Sequence, residues 1–101
     1  MKVHGDGETL SITGVKELAA SNFQAFREQV QAALTDEHRF IEIDLSQAMF
    51  VDSCGLSALA ALYRAVSRRR GTVRLLNPTP PVLQILELTR IHGIFEIVKT
   101  A

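Results

Sequence analysis

Residues 49–57 read MFVDSCGLS, and Asp52-Ser53-Cys54-Gly55 within them is the densest group of chemistry-bearing side chains in the chain. An apolar run stops at an acid, a hydroxyl and a thiol follow, and a long Ala/Leu segment begins after Gly55. Five kinds of chemistry suit such a junction. Ser53 can be a nucleophile or a modification site. Cys54 can be a redox thiol. Free N–H groups at a helix start can hold an anion. Asp52 and Ser53 can also do no more than cap the helix, each such cap being worth about 1 kcal/mol in a typical protein.

The elements around the group decide where it sits. MKV and TLSIT read as two short strands around the turn GDGE at 5–8, where Gly5-Asp6-Gly7 can supply positive φ. Ser21 or Asn22 is a plausible N-cap for a helix in which Phe23, Phe26, Val30, Ala33 and Leu34 recur at helical spacing. A polar loop at 35–39 precedes the strand FIEIDL, with Ile41, Ile43 and Leu45 on one face and Asp44 on the other. AMFV at 48–51 leads into the Asp52 group, with Ser53 near the cap of a helix from Gly55 to Arg70. Leu56, Leu59, Tyr63 and Val66 form that helix's stripe, and Gly71 is placed as its terminating residue. TVRLL is a further strand, Thr79-Pro80 opens a third helix carrying Val82, Ile85 and Leu86, and IFEIVK at 94–99 closes the chain.

The order β-β-α-β-α-β-α-β predicts an α/β fold with a mostly parallel central sheet of about five strands covered by helices. With 101 residues, one domain over 1–101 is expected. Lys+Arg and Asp+Glu balance at 11 each, which argues against a nucleic-acid or membrane-surface binder, since both need a basic footprint. A lone cysteine rules out an internal disulfide and suits a reducing compartment. The N-terminal MKVHGDGETL lacks the apolar core of a signal peptide, and LSALAALYRAV reaches Arg64 too soon to span a bilayer. A cytoplasmic location without membrane insertion is the expectation.

The chain resembles the STAS domain, and within it the single-domain bacterial anti-sigma factor antagonists. The likeness rests on the pair Asp44-Leu45 ending a strand, on Asp52-Ser53-Cys54-Gly55-Leu56 after it, and on the block NPTPPVLQILELTRIHGIFEI. It covers nearly the whole chain. It implies a non-enzymatic partner-switching regulator of transcription. An unphosphorylated domain of this kind binds an anti-sigma factor that is also a serine kinase; phosphorylation of the serine breaks the complex and a phosphatase resets it. Carried over, Ser53 is the phosphoacceptor, Asp52, Cys54, Gly55 and Ser57 lie at or beside the partner surface, and Asp44 and Leu56 support the motif. Two features depart from the pattern. Cys54 stands where the family usually has Ser or Thr. Gly14-Val15-Lys16-Glu17-Leu18-Ala19 replaces a Gly-Glu-Leu-Asp type turn that bears on the kinase contact. A constitutive STAS scaffold, or an accessory module of a transport or signalling complex without a phosphoswitch, is the alternative.

Other chemistries find less support. A hydrolase elbow of the G-x-S-x-G type needs glycine where Val51 stands. Its possible bases, His4, His38 and His92, are scattered and read as solvated surface residues. Cys54 has no second cysteine to resolve it and reads as a small residue packed under a helix start. Arg68-Arg69-Arg70 reads as a helix C-terminal cation cluster and not as a phosphate patch. Asp44 and Asp52 lack a third ligand for a metal, and no nucleotide-binding glycine pattern is present. No cofactor is expected.

Overall fold

The structure is a computed structural model. It describes residues 1–100, with the side chains of Ile91 and His92 excepted. The side chain of His92, named above as a possible base, therefore lies outside the described residues.

Among the described residues, seven strands and three helices follow one another as β1 (Lys2–Asp6), β2 (Thr9–Thr13), β3 (Glu17–Leu18), α1 (Phe23–Ala33), β4 (Phe40–Asp44), β5 (Phe50–Val51), α2 (Ser53–Ser67), β6 (Thr72–Leu76), α3 (Pro80–Leu88) and β7 (Glu96–Val98), with a 3-10 turn at Ile91–Ile94. Five strands form the main sheet in the order β1-β2-β4-β6-β7. The hairpin β1/β2 is antiparallel and every other pairing in this sheet is parallel. The expected mostly parallel sheet of about five strands is thus present.

The helices lie on one face, and the reason is topological. Each crossover, β2-α1-β4, β4-α2-β6 and β6-α3-β7, steps to the next strand in the same direction. Right-handed crossovers that all step one way put all their helices on one side. Burial agrees. Leu10, Ile12, Ile41, Ile43, Val73 and Leu75 are at most 2% exposed on the helical side. Their neighbours Thr9, Ser11, Phe40, Glu42, Thr72 and Arg74 on the other side are only half-buried. Each such aliphatic side chain withdrawn from water contributes roughly 1.5–3 kcal/mol. Phe26 and Val30 of α1 and Leu59, Leu62 and Val66 of α2 complete the core over the sheet. On the bare face, Arg74 sits 4.3 Å from the Phe40 ring centre and pairs with Glu42 and Glu96.

Several local expectations are corrected. In the first hairpin only Gly7 has positive φ, at +59°; Gly5 is an ordinary strand residue. The turn is the two residues Gly7-Glu8, closed by the pair Asp6–Thr9. The end of α2 differs too. The left-handed position is taken by Arg70 (φ 61°), not Gly71. Gly71 is needed for a different reason: a Cβ there would meet the Arg39 carbonyl oxygen at 1.8 Å. Arg69 is not a mere terminal cation. Its Nη1 donates to the carbonyls of Thr35 (2.6 Å) and His38 (3.0 Å), tying down the 35–39 loop. His38 is not a solvated residue either. It is buried, and its Nδ1 accepts from the Thr35 N–H at 3.0 Å. His4, by contrast, is exposed as expected, and it lies within β1. Thr79 occupies the N-cap position of α3, but its hydroxyl donates to the Ala48 carbonyl at 2.6 Å and makes no cap bond.

Candidate functional site

The Asp52 group does not follow a strand of the main sheet directly. After β4 ends, the chain turns at Leu45–Ala48 and forms β5, which pairs in parallel with β3 in a separate two-stranded sheet, Glu17 opposite Phe50 and Leu18 opposite Val51. Two residues each are too few to show a periodicity, so sequence pattern does not announce them. Their effect is to bring the 16–20 segment, which includes the later part of the 14–19 turn, against the start of α2. The Met49 N–H donates to the Lys16 carbonyl, and the Asp52 N–H donates to the Leu18 carbonyl.

Helix α2 begins at Ser53, two residues earlier than its composition indicates, and Asp52 is its N-cap. One carboxylate oxygen of Asp52 accepts from the Gly55 N–H and the other from the Ala20 N–H, both at 3.0 Å. These bonds, Gly55's first and Ala20's second, hold the Asp52 pKa below its ordinary value of 3.8. Asp52 therefore stays charged at neutral pH, with both carboxylate oxygens engaged by backbone N–H groups. It is not placed as a base toward Ser53.

Ser53 is the first residue of the helix and is exposed. With Asp52 taking the capping role expected near Ser53, the Ser53 hydroxyl has no hydrogen-bond partner among the described residues. Cys54 is half-buried and free. Ser57, one turn on, is exposed, and its Oγ donates to the Cys54 carbonyl at 2.7 Å. Gly55 is buried. The chain that approaches it closely is this protein's own: a Cβ at 55 would lie 2.1 Å from the Leu18 carbonyl oxygen. Leu56 is a core residue. Asp44, at the end of β4, accepts from the Ser46 N–H at 2.9 Å and so closes the turn after its strand. Among the described residues, no group of three or more His, Cys, Asp and Glu side chains could hold a metal ion.

Three contributors escape the sequence pattern. Asn22 looks like a helix cap, but its side chain reaches backward, accepting from the Ala19 N–H (2.8 Å) and donating to the Glu17 carbonyl (2.9 Å). This fixes the segment that Asp52 grips. Met49 and Phe50 are 65% and 54% exposed beside the site. The two exposed residues lie between buried Ala48 and Val51, so simple alternation hides them. The surface around Ser53 thus combines a free hydroxyl, two large apolar side chains and the Glu17 side of β3. That combination suits protein contact more than small-molecule chemistry.

The comparisons with known proteins agree with the fold. The sequence matches the STAS domain family over residues 1–101. The structure is similar to that of a proposed anti-sigma factor antagonist from Thermotoga maritima, with a TM-score of 0.89, 23% identity, and coverage of 98% of this chain and 86% of that one. It is also similar to the anti-sigma factor antagonist SpoIIAA in its unphosphorylated form, with a TM-score of 0.84, 20% identity, and coverage of 99% and 87%. Among curated proteins, Sulfate transporter 1.3 of Arabidopsis thaliana is 32% identical over 80 residues, which span 68% of this chain and 12% of the transporter. No helix among the described residues is long and apolar enough to cross a membrane.

Proposed function

The chain belongs to the STAS domain family, and on that premise we propose that it is a non-enzymatic partner-switching regulator of the anti-sigma factor antagonist type. Its partner is a protein that is both anti-sigma factor and serine kinase, bound through the surface around Ser53 in the cytoplasm. Phosphorylation of Ser53 releases that partner, and a phosphatase restores binding.

The observation that carries this reading is the state of the Ser53 hydroxyl. It is exposed at the first residue of α2 and left free because Asp52 does the capping. A kinase needs such a hydroxyl, and the positive end of the helix tolerates the product. A phosphate there adds about −1.5 to −2 charges. The helix terminus favours it by roughly 0.3–1 kcal/mol, and the Asp52 carboxylate opposes it. These effects are small against the roughly 5–15 kcal/mol that holds a domain folded. The same charge buried against a packed partner is another matter: about 3 kcal/mol lost there weakens binding over a hundredfold. The switch is therefore local blocking of an interface, not a refolding. Cys54 and Ser57 flank the acceptor at that interface, Asp52 and Gly55 shape it from behind, and Asp44 and Leu56 support it from within the domain.

A second reading has one observation in its favour, the 32% identity to a segment of a sulfate transporter. In that reading the domain is a constitutive scaffold or transport accessory with no phosphoswitch. Pull-downs with wild type, Ser53→Ala and Ser53→Asp as baits separate the two. The switch requires a kinase-like or anti-sigma protein that binds wild type and the alanine variant and is lost by the aspartate variant. One partner retained equally by all three overturns the switch in favour of the scaffold.

A further inference from the structure

The main sheet ends in two unequal edges. On one side β7 is three residues long, and shortness alone blunts it as a template for pairing. On the other side β1 is five residues, KVHGD, with no proline. Among the described residues nothing pairs with its outer edge.

The hairpin fixes which backbone groups face outward. A two-residue turn closes on a hydrogen-bonded pair, here Asp6–Thr9. Lys2, His4 and Asp6 therefore direct their N–H and C=O groups to β2, and Val3 and Gly5 direct theirs away from the sheet. The side chains of Lys2, His4 and Asp6 share one face, the bare face, since His4 lies opposite Ser11 and not opposite a core residue. All three are exposed, and among the described residues neither Lys2 nor Asp6 has an ion-pair or hydrogen-bond partner for its side chain.

This row is complementary to itself when reversed. If the edge of a second copy is laid antiparallel to β1 with His4 facing His4, Lys2 of each copy faces Asp6 of the other. In the same register Val3 of each copy faces Gly5 of the other, and these are the residues with outward N–H and C=O groups, so each such pair exchanges both hydrogen bonds. The Lys2–Asp6 pairs fall at positions where side chains across the strands lie closest. Centring the two-fold axis on Val3 or Gly5 instead overlaps less of the strand and takes Lys2 away from Asp6. We propose that β1 is a self-association edge: a second copy of this chain pairs with it about a two-fold axis at His4, joining the two sheets into one and matching Lys2 with Asp6 twice. The arrangement is isologous, so it closes as a dimer and does not extend into a fibre. It also leaves the surface around Ser53 out of the pairing, because that surface belongs to the β3/β5 ribbon and α2, not to β1.

Charge reversal tests this in a way that separates it from misfolding. Lys2→Asp puts like acids in both facing positions and Asp6→Lys puts like cations there; both sites are exposed and the fold should tolerate either. Sedimentation equilibrium over a concentration series should show a dimer for wild type, weakened about tenfold or more by each single reversal. An equimolar mixture of the two single variants should associate again, as each then faces an opposite charge, and the double variant Lys2→Asp/Asp6→Lys should recover the homodimer. Wild type that stays monomeric at the highest concentration overturns the proposal. So do single reversals that leave the dimer unchanged, or a mixture that fails to associate.

Discussion

The carboxylate of Asp52 joins its own helix to Ala20, 32 residues away: one oxygen takes the Gly55 N–H and the other the Ala20 N–H, both at 3.0 Å. The residue beside the proposed phosphoacceptor is thus a two-sided clasp. It closes the end of α2 and holds the segment that follows β3. Both bonds go to the ionised form, which is why its pKa is lowered.

The clasp sets a pH dependence. A carboxylate with a depressed folded-state pKa contributes stability that is fully present above its unfolded value, here 3.8, and is lost as the pH falls through the depressed value. Asp52→Asn cannot titrate and offers only one acceptor for the two amides. Urea unfolding should show the variant less stable than wild type at neutral pH, and the difference should shrink as the pH is taken below 3.8. A difference that stays constant down to the acid end would mean that the charge of Asp52 is not what matters.

Gly55→Ala should be costly out of proportion to one methyl group. The added carbon would stand 2.1 Å from the Leu18 carbonyl oxygen, so β3 or the helix must move. The expected loss is about 3 kcal/mol or more, the upper range for overpacking, where an ordinary helix position would gain from alanine. Chemical denaturation gives the number, and amide chemical shifts should show the disturbance running through residues 17–20.

Arg69→Ala should loosen the 35–39 loop. The two carbonyls that Nη1 serves lose their donor, which corresponds to roughly 1–2 kcal/mol. Asp36→Ala should change stability by less than about 0.5 kcal/mol. Its 3.8 Å pairing with the same guanidinium is fully exposed on the carboxylate side. Hydrogen exchange at Thr35 and His38 should accelerate in the first variant and not in the second.

Much of the fold is legible in the chain because burial writes itself at a fixed period. Ile41, Ile43 and Leu45 alternate and are all fully buried; Phe26 and Val30 recur at helical spacing and are the buried pair of α1. What escapes reading is contact between backbones. Nothing in Glu17-Leu18 or Phe50-Val51 marks them as partners, since a two-residue strand has no period. Gly71 reads as a conformational glycine and is in fact a clearance glycine, because the sequence does not show that the Arg39 carbonyl passes overhead. Asp52 and Ser53 are both good caps by type. Only the direction of the chain leaving β5 decides between them, and that choice frees the Ser53 hydroxyl.

Two glycines bracket helix α2, Gly55 in its first turn and Gly71 in the link that follows it, and each sits where a Cβ would meet a foreign carbonyl, that of Leu18 and that of Arg39. Mechanically the helix is a strut with a close-fitting seat on either side of it. A side chain added at either seat would meet a backbone oxygen and push the strut off its neighbour. On the proposed function, a charge placed at Ser53 would be read locally, by whatever docks at that end of the strut. The same seating fixes the length of the strut: a residue added or removed between Gly55 and Gly71 unseats one end, whereas the exposed turns elsewhere in the chain absorb such changes.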